Sequence, residues 1–170
     1  MLSQVTQEEY NSYYATYISK AQAPNIVQGL ETSKIEFTDF VNTIPLEKGT
    51  YAYAEGKWTI AEVLQHIIDT ERVFAYRALR FARNDKTPLM GFEQDDYVPY
   101  SNAKTFDKER LVEDFIAVRN STITLFNGFT DEMLERIGEA SGSPMSARAV
   151  GYILSGHQKH HIDVIKERYL

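Results

Sequence analysis

The sequence contains no cysteine. This absence excludes disulfide bonds, a thiol nucleophile and any metal site built from thiolates. Imidazole and carboxylate groups are the remaining side chains that bind metal ions well, and the chain has four histidines and 24 acidic residues. Chemistry based on nitrogen and oxygen ligands is therefore what the composition leaves open.

Long apolar runs and clusters of positive charge are also missing. No stretch approaches the roughly 20 apolar residues that cross a bilayer, and the first twenty residues lack the apolar centre of a secretory signal. The 18 basic and 24 acidic residues give a formal charge of −6, and no basic run is long enough to follow a phosphate backbone. We therefore expect a cytoplasmic protein that binds neither a membrane nor nucleic acid.

Helical periodicity, in contrast, is abundant. At 170 residues the chain has the length of one ordinary domain, so we expect residues 1–170 to form a single domain. Apolar residues recur at helical spacing over residues 25–44, and Pro45 ends the pattern. Before this helix, a set of closely spaced tyrosines indicates a shorter amphipathic helix, lying on the core or on a partner subunit: Tyr10, Tyr13, Tyr14 and Tyr17.

A second long helix is predicted to begin at Thr59. Thr59 and Glu62 occupy the positions of a capping box, and the helical pattern continues without glycine or proline to about Arg83. Residues 84–105 then contain two prolines and a glycine without clear periodicity. This segment is too long for a tight hairpin and predicts a crossover that covers a site.

Two further long helices complete the predicted fold. The third begins at Thr105 or Asp107 and ends at about Gly128, and a short helical turn follows near residues 130–137. Ser146 is expected to cap a fourth helix that extends to the C-terminus. The sequence therefore predicts an all-α fold, a four-helix bundle with a long crossover between helices 2 and 3.

Three of the four histidines lie close together on the predicted fourth helix, in His157-Gln158-Lys159-His160-His161. At about 100° per residue, His157 and His161 share the direction of the apolar side chains, whereas His160 lies about 100° from His161, at the edge of that face. Side chains one helical turn apart can offer two nitrogens to a single ion. A pair of core histidines bonded to backbone or carboxylate groups is the alternative. The spacing alone does not decide between a metal site and such a pair.

The fourth histidine, His66, belongs to the predicted second helix. It lies on a seam of mostly polar residues beside the apolar face, which also contains Thr59, Glu62, Thr70, Val73 and Arg77. From this position His66 could face the bundle interior and supply a third ligand. A surface or capping role would also fit a single histidine on the flank of a helix.

Two segments carry a resemblance to a known family. The second helix opens with WTIAEVLQH and the fourth contains HQKHH, at the expected separation. These motifs resemble the DinB superfamily of four-helix bundles, which includes YfiT-like metal-dependent hydrolases, and the similarity covers nearly the whole chain. In that family one histidine of the second helix and two of the fourth bind a divalent ion. The resemblance therefore implies His66, His157 and His161 as the ligands, and zinc or nickel as the ion.

The resemblance implies two kinds of enzyme that act on a small-molecule substrate, a hydrolase or a transferase that uses a low-molecular-weight thiol. A non-catalytic, metal-bearing bundle that acts as a ligand- or protein-binding module is the other hypothesis. Gln158 occupies the place of the glutamate in the H-E-x-x-H protease motif, so a protease of that class is not expected. Relatives in this family are often homodimers, and the tyrosine-rich N-terminal helix would offer an interface.

Other side chains could support the chemistry of the site. Glu62 and Asp69 each lie one turn from His66 and could orient it or move a proton, although an exposed salt bridge would explain them equally well. Arg77, further along the seam, could bind an anionic substrate or form an ion pair inside the bundle. Phe92 and Tyr97 of the crossover are expected at the mouth of a pocket, with plain packing as the alternative.

Overall fold

The computed structural model describes residues 5–21, 23–103 and 105–170. Its helices are α1 (Ala15–Lys20), α2 (Ile26–Thr43), α3 (Ile60–Ala82), α4 (Gln94–Tyr97), α5 (Lys108–Asn127), α6 (Asp131–Glu135) and α7 (Ala147–Arg168). Short 3₁₀ turns occupy Gln7–Glu9, Ser12–Tyr14, Leu46–Lys48 and Val98–Tyr100. The four long helices α2, α3, α5 and α7 form the predicted bundle. Among the described residues, no helix combines the length and apolarity needed to cross a membrane.

Side-chain caps set the start of the long helices, as the sequence indicates. The Thr59 backbone N–H donates to Glu62 Oε2 (2.7 Å), and Thr59 Oγ1 accepts from the Glu62 N–H (3.3 Å), which confirms the capping box of α3. Ser146 Oγ accepts from the Ala149 N–H (3.0 Å) at the start of α7, and Asp107 caps α5. These bonds pair N–H groups that have no partner inside the helix.

A small hairpin, absent from the sequence-based prediction, precedes α7. Strands β1 (Ile137–Ala140) and β2 (Ser143–Ser146) pair antiparallel, so the short helix expected to reach residue 137 ends earlier, at Glu135. The turn residues Ser141 (φ 54°) and Gly142 (φ 71°) both have positive φ, as a two-residue type I′ turn requires. Leu89 exchanges backbone hydrogen bonds with the hairpin, which anchors the crossover to the hairpin turn.

Two apolar clusters fill the bundle, one at each end. The first contains Leu30, Phe74, Phe81, Ile123, Phe126, Val150 and Ile153, and the second contains Phe37, Ile60, Leu64, Leu111, Phe115, Ile162 and Ile165. Along the chain, α2 and α7 pass from the first cluster to the second, whereas α3 and α5 pass from the second to the first. Helices α2 and α7 therefore run parallel to each other, and α3 and α5 run parallel in the opposite direction.

This arrangement explains the long crossover. Helix α3 packs beside α5, and α7 packs between α3 and α2. Because α3 and α5 are parallel neighbours, the chain must return along the whole bundle after α3 ends, a distance of about 30 Å for helices of this length. The segment from Arg83 to Asp107, which includes α4, covers that distance.

A buried polar layer separates the two clusters. Arg119 of α5 is fully buried and forms a two-pronged ion pair with Glu71 of α3, with Nε to Oε1 at 2.7 Å and Nη2 to Oε2 at 2.8 Å. It also donates to the Leu30 carbonyl and Ser33 Oγ of α2, and to Gln158 Oε1 of α7. The layer therefore joins all four long helices, and it places Gln158, the neighbour of His157, at the bundle centre.

The N-terminal segment packs on α7 through a position where only glycine fits. A Cβ atom built on Gly156 would lie 1.7 Å from the Tyr17 carbonyl oxygen. The absence of that atom lets the backbone of α1 approach α7 closely. The tyrosine-rich segment therefore lies on the bundle itself, as one of the two predicted arrangements requires, and a homodimer interface there stays a prediction.

Candidate metal centre

His66, His157 and His161 converge where α3 and α7 pack against each other. The Nε2 atom of His157 lies 3.1 Å from His66 Nε2 and 3.0 Å from His161 Nε2. Each of the three residues offers one ring nitrogen to a group whose members all lie within 4.8 Å of one another. The structure thus brings together the three histidines selected from the sequence, two of them from one helix and the third from 91 residues earlier in the chain.

Hydrogen bonding alone cannot satisfy this cluster. A neutral imidazole nitrogen carries either one hydrogen or one lone pair, so His157 Nε2 can form a full hydrogen bond with only one of its two neighbours. The Nε2 of the remaining histidine then lacks a full partner in a largely buried place. A single cation would accept all three lone pairs, and nitrogens bound to a tetrahedral zinc ion at about 2.0–2.1 Å lie about 3.4 Å apart. The donor set and its spacing fit a divalent ion.

Burial keeps the three imidazoles neutral. It lowers the pKa of His66 from its ordinary value to about 4. It also lowers the pKa of His157 and His161 well below the ordinary value, and the positive charge that neighbouring histidines would carry lowers both further. Near pH 7 all three rings therefore keep the lone pairs that metal binding requires.

Neighbouring side chains fix the rings in place. Thr70 Oγ1 lies 3.3 Å from His66 Nδ1, one helical turn along α3. When the Nδ1–H donates to this hydroxyl, the lone pair of His66 is on Nε2, the atom that faces the other histidines. The Trp58 ring lies 5.0 Å from the His66 ring, and the Tyr17 ring contacts His157 edge-on at 5.2 Å.

A cavity of about 220 Å³ opens beside the histidine cluster. Its walls come from the N-terminal segment, α3, the crossover, the hairpin turn and α7, and they include Tyr14, Tyr17, Thr70, Phe74, Arg77, Phe92, Glu93, Gln94, Ser141, Ile153 and His157. The crossover thus covers a cavity next to the histidines, as its length predicts. Phe92 lines this cavity, and Tyr97 lines a smaller cleft beside His66.

Comparisons with known proteins identify the family of this chain. A family model described as the DinB superfamily matches residues 30–165, which include all three histidines. The chain belongs to the DinB superfamily. A protein of Oceanobacillus iheyensis named as a putative metal-dependent hydrolase is 25% identical over 142 residues, covering 81% of this DinB-superfamily chain and 79% of that protein.

A solved structure shows the same fold. YfiT from Bacillus subtilis, described as a probable metal-dependent hydrolase with an unusual four-helix bundle topology, matches with a TM-score of 0.75. The match covers 96% of this chain and 90% of YfiT at 17% sequence identity. At that identity the likeness shows the fold, and it agrees with the bundle described above for this member of the DinB superfamily.

Glu62 and Asp69 are the acidic residues of this DinB-superfamily chain that the sequence places one turn from His66. Glu62 Oε2 accepts from Thr59, and Asp69 Oδ1 accepts from Gln65 and Arg72, so the hydrogen bonds found for these two carboxylates do not involve His66. Both residues line the cleft beside His66. That Glu62 or Asp69 moves a proton at the site stays a prediction.

His160 differs from its two neighbours on the helix. It is half-buried, and its ring contacts the rings of Tyr17 (5.3 Å) and His161 (5.1 Å). It does not belong to the group of ring nitrogens found among the described residues. The direction calculated from the helical repeat therefore separates His160 correctly from the pair that the structure brings together.

Sequence reasoning missed several residues that surround the cluster. Trp58 and Tyr17 pack on the histidine rings, and Ser141 enters the cavity from the hairpin turn. The Ser141-Gly142 pair is a turn signal that could have indicated the hairpin. Nothing in the local sequence indicates that Trp58 or Tyr17 lies beside a histidine, because both contacts depend on how separate segments pack.

Proposed function

We propose that the chain is a metal-dependent hydrolase of small molecules in which His66, His157 and His161 bind one zinc or nickel ion. The convergence of three neutral ring nitrogens beside a cavity carries the proposal. Both metals accept imidazole ligands readily. A divalent ion held by three neutral ligands supplies Lewis-acid chemistry, because its charge polarises a substrate oxygen and lowers the pKa of water.

The side chains of this protein would prepare the site for that chemistry. Thr70 Oγ1 lies within hydrogen-bond distance of His66 Nδ1, and the ring of Tyr17 packs edge-on against His157. Phe92 and Gln94 of the crossover cover the cavity that leads to the histidines, which limits the access of bulk water. The names of the Oceanobacillus and Bacillus proteins support hydrolysis as the reaction, since one is described as a putative and the other as a probable metal-dependent hydrolase.

One observation favours a second reaction class, transfer of a low-molecular-weight thiol. A cosubstrate of the glutathione or bacillithiol type carries carboxylate and amide groups, which need basic and amide partners in the pocket. Arg77 and Gln94 provide one partner of each kind in the cavity wall. The same metal ligands would serve this reaction.

Activity of reconstituted protein tests the proposal. The chain, treated with chelator and reloaded with zinc, nickel or manganese, is assayed on a panel of small esters, amides and lactams, and with glutathione plus an alkylating acceptor. We expect turnover by the loaded wild type and the His160→Ala control, and none by metal-free protein or by His66→Ala. Thiol consumption without hydrolysis would assign the transferase class. No turnover with any metal would contradict both classes and leave a binding module.

A further inference from the structure

Arg77 is buried, and the residues that the structure describes give it no acidic partner. Its exposed fraction is 2%, and it forms no ion pair with any carboxylate among residues 5–21, 23–103 and 105–170. The other two arginines buried in this part of the chain both have acidic partners, Arg119 with Glu71 and Arg148 with Glu9. The ion pair inside the bundle that the sequence allowed for Arg77 is therefore absent there.

Neutral groups surround the Arg77 guanidinium. Nη2 donates to Ser141 Oγ (3.1 Å) and, at 3.4 Å, to the Met90 carbonyl. Burial lowers the pKa of Arg77, and a hydrogen bond with the Tyr14 hydroxyl acts in the opposite direction. An arginine keeps its charge even in such surroundings. The site thus holds a buried positive charge that hydrogen bonds solvate, and no negative charge from the described part of the chain balances it.

The Arg77 side chain extends toward the histidine cluster. Its guanidinium carbon lies 4.8 Å from the ring centroid of Phe74, three residues earlier, so the side chain folds back toward the N-terminus of α3, where Thr70 and His66 lie. Arg77 and His157 line the same cavity. The Cα atoms of His66 and Arg77 are about 16 Å apart along the helix axis, and the folded side chain shortens the distance to be spanned.

The cavity between these groups suits a small molecule with an apolar body. Phe74 and Phe92 both lie against the guanidinium, at 4.8 Å and 5.7 Å, and Ile153 adds another apolar surface. At about 220 Å³ the cavity is below the roughly 300–1,000 Å³ of typical ligand pockets. Glu93 is the acidic residue in its wall, and it is exposed on the crossover and forms no ion pair with Arg77 within the described ranges.

From this geometry we infer that Arg77 binds a carboxylate of the substrate, so that the substrates are small carboxylates whose apolar body lies between Arg77 and the histidine cluster. The inference rests on the proposed function, because it assumes that the reacting group lies at the histidines. A planar guanidinium matches a carboxylate with two parallel hydrogen bonds. One positive charge is balanced by a singly charged group, whereas a phosphate dianion would leave a second negative charge buried without a partner, which costs free energy.

A structural role for Arg77 is the competing explanation, because its bonds to Ser141 and Met90 join the hairpin turn to the crossover. The two explanations differ in the ligand preference that they require. Loss of a structural tie would weaken the binding of charged and neutral ligands alike. Loss of a carboxylate partner would weaken the binding of the charged ligand only.

Calorimetric titration with two ligands of the same shape tests the inference. We expect 3-phenylpropanoate to bind at least about tenfold more tightly than 3-phenylpropanamide, in both the zinc-loaded and the metal-free chain. Arg77→Gln should remove the preference and Arg77→Lys should keep part of it. Arg83→Gln is the matched control, since Arg83 is an exposed arginine at the end of the same helix, outside the cavity.

The outcomes separate this inference from the proposed function. A preference for the carboxylate in metal-free protein that Arg77→Gln abolishes would support the inference even if no activity is found. Equal dissociation constants for the two ligands in the wild type would overturn it, whether or not Arg77→Gln folds. An equal loss of affinity for both ligands in Arg77→Gln would assign the structural role to Arg77. Tighter binding of 2-phenylethylphosphonate than of the carboxylate would overturn the choice of a carboxylate as the anion.

Discussion

Arg119→Met is expected to lower the free energy of unfolding of the metal-free chain by about 3–5 kcal/mol. The substitution leaves the carboxylate of Glu71 buried without its partner and removes the hydrogen bonds to Ser33 and Gln158. Desolvation of an uncompensated charge is much more costly than the loss of one ordinary hydrogen bond. Urea denaturation followed by circular dichroism, with chelator present throughout, measures the change.

Two further variants test the cause of the stability loss in Arg119→Met. Arg72→Met removes an arginine whose partners Asp69 and Asp114 are partly exposed, and it should cost no more than about 1 kcal/mol. The double variant Arg119→Met, Glu71→Met removes both charges and should recover much of the stability. If Arg119→Met cost no more than Arg72→Met, the polar layer would not hold the bundle together in the way described.

Gly156→Ala should separate the N-terminal segment from the bundle. The added Cβ would lie 1.7 Å from the Tyr17 carbonyl oxygen, a backbone atom, so α1 has to move as a unit. Overpacking of this kind costs about 1–3 kcal/mol, which exceeds the roughly 1 kcal/mol that alanine gains over glycine inside a helix. Tyr17 would then leave the ring of His157, and the chain after Lys20 should become accessible to trypsin.

The matched control for this experiment is Gly128→Ala. Gly128 has a φ of −86°, and the nearest atom to its added Cβ lies at 3.4 Å, so alanine fits there without strain. Limited proteolysis and urea denaturation should show wild-type behaviour for Gly128→Ala, with early cleavage at Lys20 and lower stability for Gly156→Ala. Identical proteolysis of the two variants would show that α1 does not depend on the close approach at Gly156.

The sequence predicts the long helices well because the signals that start and end them are local. Thr59 with Glu62 and Ser146 are caps formed within three residues, and the structure contains each of them. Proline and glycine at the helix ends act through the backbone of the same segment. Such features can be found without knowing which helices are neighbours.

The order of the helices and the polar layer could not be found in this way. In the sequence, Arg119 and Glu71 look like ordinary charged residues on helices, and only the packing of α3 beside α5 shows that they meet in the interior. The sequence does not predict the hairpin because each of its strands has only four residues. In addition, Leu89, the backbone partner that extends the hairpin, lies in the crossover. Long-range contacts decide the order of the helices and the polar layer, whereas the hairpin forms locally around the Ser141-Gly142 turn.

The candidate site could be predicted in part from the sequence, less completely than the helices and more completely than the polar layer. The spacing of His157 and His161 predicts that they share one face of a helix, and the structure places their Nε2 atoms 3.0 Å apart. The prediction of His66 as the third ligand depended on the resemblance to the DinB superfamily, since one histidine on a helix flank has many explanations. The contact between Thr70 and His66 follows from the four-residue spacing, whereas Trp58, Tyr17 and Ser141 reach the site through tertiary packing.

Metal content of protein purified without an affinity tag or chelator tests the central claim most directly. Elemental analysis should find about one equivalent of zinc or nickel in the wild type and in the His160→Ala control, and almost none in the His157→Ala, His161→Ala double variant. Circular dichroism has to show that the double variant is folded. A folded wild type that takes up no zinc, nickel or manganese, or a double variant that binds as much as the wild type, would contradict a metal centre at these three histidines.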